Sequence, residues 1–229
     1  MNSALKDFPG NTLTFLKRLS KNNNREWFEE NRELFNSTFI EPAVQFVAEM
    51  GEKLSSLRPG IIAIPKTDKS IFRIYKDVRF SKDKLPYKTN MGLYFWEGER
   101  KKMESSGLYF HLDIKSFGAG AGMYTFSKEV LSDYRELVSD PRSAKQLKSI
   151  LNKILKNEKF SLGGKKFKRV PKGLDPEYSY RDLLLHDGLY LWYESKNFNS
   201  LSNGKSVKTI FKIFKTMLPL HKWLVEKFG

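Results

Sequence analysis

The sequence predicts an α+β fold, with a largely antiparallel sheet in the middle of the chain covered by N-terminal and C-terminal helices. Three observations carry this expectation. Apolar residues recur at helical spacing through 11–57. From 61 to 126 the period moves toward two, in aromatic and β-branched runs bounded by Pro, Gly, Asn and Ser. Helical spacing then returns and dominates 127–229. Helices, then strands, then helices is the order expected of an α+β domain. The chain has 229 residues, 40% of them hydrophobic and 14% aromatic, enough to bury a core without disulfides or metals. No low-complexity linker interrupts it, so one domain over 1–229 is expected.

Asn11 or Thr12 is placed to cap a first helix through Leu13, Leu16 and Leu19. The run Asn22-Asn23-Asn24 ends it, and Asn24 is placed to cap a second helix carrying Trp27, Phe28, Asn31, Leu34 and Phe35. Pro42 fits the first turn of a third, with Val44, Phe46, Val47, Met50 and Leu54. Expected strands cover 70–80, 91–96, 108–115 and 120–126. Ser127 and Asp140, the latter followed by Pro141, are cap signals for helices over 127–138 and 141–156. Short strands are expected at 165–169 and 189–198. Residues 207–228 form a final amphipathic helix, expected to cover the core and to bend near Pro219.

Charge is the strongest compositional signal. Lys and Arg number 41 against 26 Asp and Glu, a net +15. Residues 1–60 are neutral, 61–120 carry +5 and 121–229 carry +10. The excess favours anionic partners. The chain has no cysteine, which excludes disulfides, thiolate metal sites and cysteine nucleophiles. No apolar run reaches a membrane span, and the first 15 residues lack a signal-peptide core. A cytoplasmic protein without a membrane partner is expected. No cofactor is indicated, and the three histidines show no metal-ligand spacing.

The chemistry is densest between 71 and 90. Read as a strand, this segment puts Phe72, Ile74, Lys76, Val78 and Phe80 on one face and Arg73, Tyr75, Asp77 and Arg79 on the other. Asp77 then lies within reach of two guanidiniums, whose planar forks match phosphate or carboxylate. Lys82, Lys84 and Lys88 follow on a turn. The expectation is a pocket for an anionic small molecule, phosphorylated or carboxylated. Arg73, Tyr75, Arg79, Lys84, Lys88 and Tyr109 would bind it, and His111, Asp77 and Tyr87 are the candidate catalytic groups. His111 lies on a second polar face with Tyr109 and Asp113, alternating with Phe110, Leu112 and Ile114. It is the natural general acid–base residue if the two polar faces combine. The glycines 118, 120 and 122 serve either close approach to a ligand or tight sheet packing.

Two alternatives are carried. Lys165, Lys166, Lys168, Arg169 and Lys172, interleaved with Phe160 and Phe167 around a Gly163-Gly164 hairpin turn, suggest a nucleic-acid-binding surface. Glu99-Arg100-Lys101 and Asp113-Ile114-Lys115, with Asp77 or Asp83 upstream, fit the acidic-x-Lys element of magnesium-dependent nucleases.

Three blocks also carry a family resemblance: Phe15-Leu16-x-x-Leu19-x-x-Asn22-Asn23-Asn24-x-x-Trp27-Phe28-x-x-Asn31-Arg32; Phe72 through Lys84 with Pro86-Tyr87-Lys88; and Arg169-Val170-Pro171-Lys172-Gly173. Together they resemble the conserved hypothetical proteins classified as domain of unknown function 2461. Lys76 stands where that pattern prefers Arg, keeping the charge but not the fork. The resemblance implies a single-domain unit of about this length and implies no activity.

Overall fold

The structure, a computed structural model, describes residues 5–79 and 83–229. The final residue of the expected 70–80 strand, Phe80, lies outside the described residues, as does Lys82. The helices are α1 (Gly10–Lys21), α2 (Arg25–Glu30), α3 (Arg32–Phe35), α4 (Glu41–Ser55), α5 (Lys128–Ser139), α6 (Pro141–Leu155) and α7 (Ser206–Phe228). The strands are β1 (Ile61–Ile62), β2 (Asn90–Glu97), β3 (Ser106–Asp113), β4 (Phe117–Met123), β5 (Phe160–Lys165) and β6 (His186–Ser195). They form one antiparallel sheet in the order β1-β2-β3-β4-β6-β5. The α+β class is as the sequence predicts.

The chain divides into two compact units, and four of the strands and α7 contribute to both. The first takes in the chain up to Phe95, Tyr109–Ala119 and Glu194–Ile213. Its helical core follows from sequence spacing: Phe15, Leu16 and Leu19 of α1, Phe28 of α2, and Phe46, Val47, Met50 and Leu54 of α4 are all buried. Phe46 stacks on Phe110 of β3, ring centroids 5.0 Å apart. Each fully buried phenylalanine contributes roughly 1.5–3 kcal/mol. α3 and α4 are joined by a π-helical turn, Asn36–Ile40, so the helical run passes from Arg32 to Ser55 where the sequence suggested a break before Pro42. Thr12 is not a cap. α1 starts at Gly10, and the Thr12 hydroxyl donates to the carbonyl of Thr38 at 2.6 Å. Asn24 does cap α2, its side chain accepting from the N–H of Trp27.

The second unit comprises Trp96–Leu108, Gly120–Tyr193 and Phe214–Gly229. Ser127 and Asp140 cap α5 and α6, accepting from the N–H of Val130 and Ser143. The core side of α5 is Val130, Tyr134 and Val138, and Tyr134 donates to the carbonyl of Leu183 at 3.0 Å. α7 runs through Pro219 as one helix. In β4, a Cβ on Gly120 would stand 3.0 Å from Trp192, and one on Gly122 (φ +135°) 2.2 Å from the carbonyl of Leu189. These glycines serve close packing against β6, not a ligand loop.

Three local expectations need correction. Residues 70–79 are not a regular strand. They touch the sheet through a single bridge, Ile71 to Leu93, and pair with the arm preceding β2 through another, Tyr75 to Tyr87. The expected alternation survives nonetheless: Arg73, Tyr75, Asp77 and Arg79 are exposed, while Phe72, Ile74, Lys76 and Val78 are wholly or partly covered. Gly163-Gly164 is not a hairpin turn but lies within β5, where the register against β6 shifts between Gly163 and Lys165. The expected strand at 165–169 therefore shrinks to its first residue, since β5 ends at Lys165.

Candidate functional site

In the first unit the Asn22-Asn23-Asn24 break delivers two things to one place. Asn24 starts α2, which puts Arg25 and Glu29 one turn apart on one side. Asn23 reaches the other wall. Its Oδ1 accepts from the N–H of Tyr87 at 3.1 Å and its Nδ2 donates to the Tyr87 carbonyl at 2.9 Å. The arms carrying Tyr75 and Tyr87 are held side by side: the N–H of Lys76 donates to Pro86 and that of Lys88 donates to Ile74. Tyr87 stacks on Phe28 at 4.1 Å, and Tyr75 lies 5.4 Å from Tyr87.

Between these walls is a cleft of about 370 Å³, lined by Arg25, Glu29, Tyr75, Lys76, Val78, Pro86 and Tyr87. Its charges are unequal. Glu29 is gripped by Arg32 in two hydrogen bonds, 2.8 and 2.5 Å, which hold its carboxyl below the usual range. Lys76 pairs with Asp83 at 2.7 Å. Arg25 has no ion-pair partner among the described residues. Burial raises the Tyr87 phenol above its ordinary value, so it stays neutral at physiological pH.

The expected anion ligands fall around the cleft rather than into one cradle. Asp77 is bound by one arginine, not two. Arg79 donates from its side chain at 2.7 and 3.0 Å and from its backbone, and these bonds lower the Asp77 pKa to about 2. Arg73 adds only a weak charge attraction there. Lys84 donates to the carbonyl of Val78, and Lys88 to that of Arg73, so both lysines strap the loop. Lys88 also lies over Phe72, 6.0 Å from the ring centroid, and its pKa is lowered by burial and then by Arg73. Of the candidate ligand-binding and catalytic residues, Tyr75 and Tyr87 line the cleft; Arg73, Asp77, Arg79, Lys84, Lys88, Tyr109 and His111 do not.

His111 belongs to a separate chain of hydrogen bonds on the same unit. The Tyr109 hydroxyl lies 3.2 Å from His111 Nδ1, and His111 Nε2 lies 3.1 Å from Asp113 Oδ2. The bonds are complementary when the neutral imidazole carries its proton on Nε2, with Nδ1 accepting from the phenol. Burial works against the Asp113 carboxylate, but the N–H groups of Lys115 and Ser116, with His111, hold its pKa below the ordinary value. Ser116 continues outward to Glu194 at 2.5 Å. Burial pushes the Tyr109 phenol up to about 12. The two polar faces do not pair directly, because β2 lies between them. The contact between the two segments comes instead from the opposite face, where Phe72 meets Tyr109 edge-to-face over Gly92.

In the second unit, a constellation that sequence reasoning missed joins Ser106, His221 and Glu97. Ser106 Oγ is 2.9 Å from His221 Nδ1, and His221 Nε2 is 3.1 Å from Glu97 Oε2, all three residues being buried. The available signal was a histidine in the apolar stripe of α7, between Met217 and Leu224. A buried imidazole needs polar partners. The geometry has the order of a Ser–His–carboxylate set, but Ser106 is 3% exposed, which leaves a substrate no approach and makes this a core network.

The basic segment of the second unit is exposed at Lys165, Lys166, Lys168, Arg169 and Lys172. Lys166 pairs with Asp187 at 2.7 Å. Its aromatics are engaged: Phe160 is buried, and Phe167 carries the Arg135 guanidinium 4.9 Å from its ring centroid. Among the described residues no three His, Asp or Glu side chains stand together as a metal-ligand set.

A family model described as "Conserved hypothetical protein (DUF2461)" matches residues 11–223. No curated protein matches the chain.

Proposed function

We propose that this chain, which belongs to the conserved hypothetical protein family DUF2461, binds a phosphorylated or carboxylated small molecule in the cleft of its first unit. The observation that carries the reading is the cleft's composition: Arg25, without an ion-pair partner among the described residues, at a recess walled by Tyr75 and Tyr87. A planar guanidinium beside aromatic walls suits an anion with an apolar or ring-bearing body. Arg73, Arg79, Lys84 and Lys88 surround this recess with positive charge and raise the local concentration of anions. In this reading Asp77 holds Arg79, and Tyr87, which lines the cleft, is the group placed to exchange a proton if the bound molecule is also transformed. We read the chain as one domain working in the cytoplasm. The family match runs through both units, and among the described residues no helix is long and apolar enough to cross a membrane.

The test is a thermal-shift screen of phosphorylated metabolites, nucleotides and carboxylates, repeated on Arg25→Gln. A ligand of the folded state raises the melting temperature. The reading requires a hit whose shift is lost in Arg25→Gln. No hit, or a shift that the substitution leaves intact, overturns it.

A further inference from the structure

We propose that a groove on the second unit docks an acidic peptide segment of a partner protein. The groove, about 580 Å³, lies between α5 and the turn at 171–174. From α5 it takes Lys128, Leu131, Ser132, Arg135, Glu136 and Ser139, a spacing of three, four, seven, eight and eleven that defines one helical face. This face is distinct from Val130, Tyr134 and Val138, which are spent on the core. α5 is thus amphipathic twice, and its second stripe meets Pro171, Lys172 and Leu174 across the groove.

Charge selects the occupant. Lys128, Arg135 and Lys172 form no ion pair among the described residues, against a single carboxylate, Glu136. The Arg135 Nε is buried without a hydrogen-bond partner, although its guanidinium is held over Phe167. The terminal N–H groups of that guanidinium remain for the groove, and a carboxylate is the acceptor their planar fork matches best. The lining is otherwise aliphatic and hydroxylic, with no aromatic surface for base stacking. That favours a peptide over a nucleic-acid strand. The groove follows α5 for about 16 Å, the length of roughly five extended residues. Lys128 and Arg135 are about 10 Å apart along the helix, a span their long side chains bridge to acidic residues at alternate positions, which share one face of such a segment.

The probe is a fluorescein-labelled, end-blocked hexapeptide, Glu-Leu-Glu-Leu-Glu-Leu, followed by fluorescence anisotropy on the full chain. The lysine analogue and a six-nucleotide single-stranded DNA are the comparisons. The acidic peptide should bind, more weakly as salt rises, and Arg135→Gln should weaken it by about tenfold or more. Lys128→Glu and Lys172→Glu, exposed positions whose fold is checked by circular dichroism, should each weaken it too. Arg25→Gln, in the other unit's cleft, should not, so this proposal and the small-molecule reading fail separately. Absence of binding, equal binding of the lysine peptide, tighter binding of the DNA, or indifference to the charge reversals overturns the proposal.

Discussion

Asn23 satisfies both backbone polar groups of Tyr87, 64 residues away, accepting at 3.1 Å and donating at 2.9 Å. One side chain at a helix break thereby fixes the wall of the cleft. Asn23→Ala leaves both groups without this partner and should destabilise the protein by about 1–3 kcal/mol. Chemical denaturation measures that. Asn23→Asp is the control: it keeps the acceptor and loses the donor, so it should fall between wild type and alanine.

Gly92 makes room for Tyr109. A Cβ at Gly92 would stand 2.8 Å from the Tyr109 hydroxyl and 3.1 Å from the Phe72 ring. Gly92→Ala should cost about 1–3 kcal/mol as an overpacking change. Tyr109→Phe removes the closest atom, so the double variant should recover part of that loss. Strictly additive effects in the double-mutant cycle would show that the two residues do not compete for the space.

Asp113 should shape the acid limb of stability. Its folded pKa lies below the ordinary 3.8, so between the two values the unfolded chain binds the proton first. The stabilisation is complete above about pH 4 and is lost as pH falls through the folded value. Asp113→Asn should show a shallower loss of stability below pH 4 than wild type, read from denaturation midpoints at stepped pH.

His186 acts higher on the scale. Burial holds its imidazole below the ordinary 6.5, while its Nδ1 faces the carbonyls of Asp182 and Leu183. The neutral form belongs to the folded state, so stability is full above about pH 6.5 and declines as pH drops through the folded value. His186→Asn keeps a donor without titrating. Its stability should change less than that of wild type between pH 7 and 5.

His221 holds Ser106 and Glu97 together inside the second unit. His221→Leu removes the imidazole from both partners and should destabilise by about 3 kcal/mol or more. Glu97→Gln keeps a hydrogen-bonding oxygen and should cost less. A leucine variant as stable as wild type would show that the network contributes nothing to the core.

What was legible in the sequence was what local chemistry decides. Asp140 with Pro141, Ser127 and Asn24 each announced a helix start, because a cap needs only the next three N–H groups. The inside–outside alternation through Arg73, Tyr75, Asp77 and Arg79 was also legible. The absence of a strand there was not, because pairing depends on neighbours further along the chain, Tyr87 and Leu93, and only single bridges form. Gly163-Gly164 carries a turn signal, but the packing is decided by Tyr190, whose ring lies where a Gly163 Cβ would go. The cleft and the Glu97–His221 contact join residues from distant parts of the chain, and no periodicity encodes such meetings.

The two ends of the sheet have a consequence for solution behaviour. A free strand edge invites a second molecule to add its own strand and begin a fibre. Here one edge is β1, two residues long. The other is β5, whose pairing is broken by an irregularity before an exposed lysine. Neither end offers a long, flat, regular ladder. An aromatic-rich chain is thereby kept from polymerising through its sheet, and straightening β5 while removing Lys165 is the change expected to convert the edge into a nucleus for aggregation.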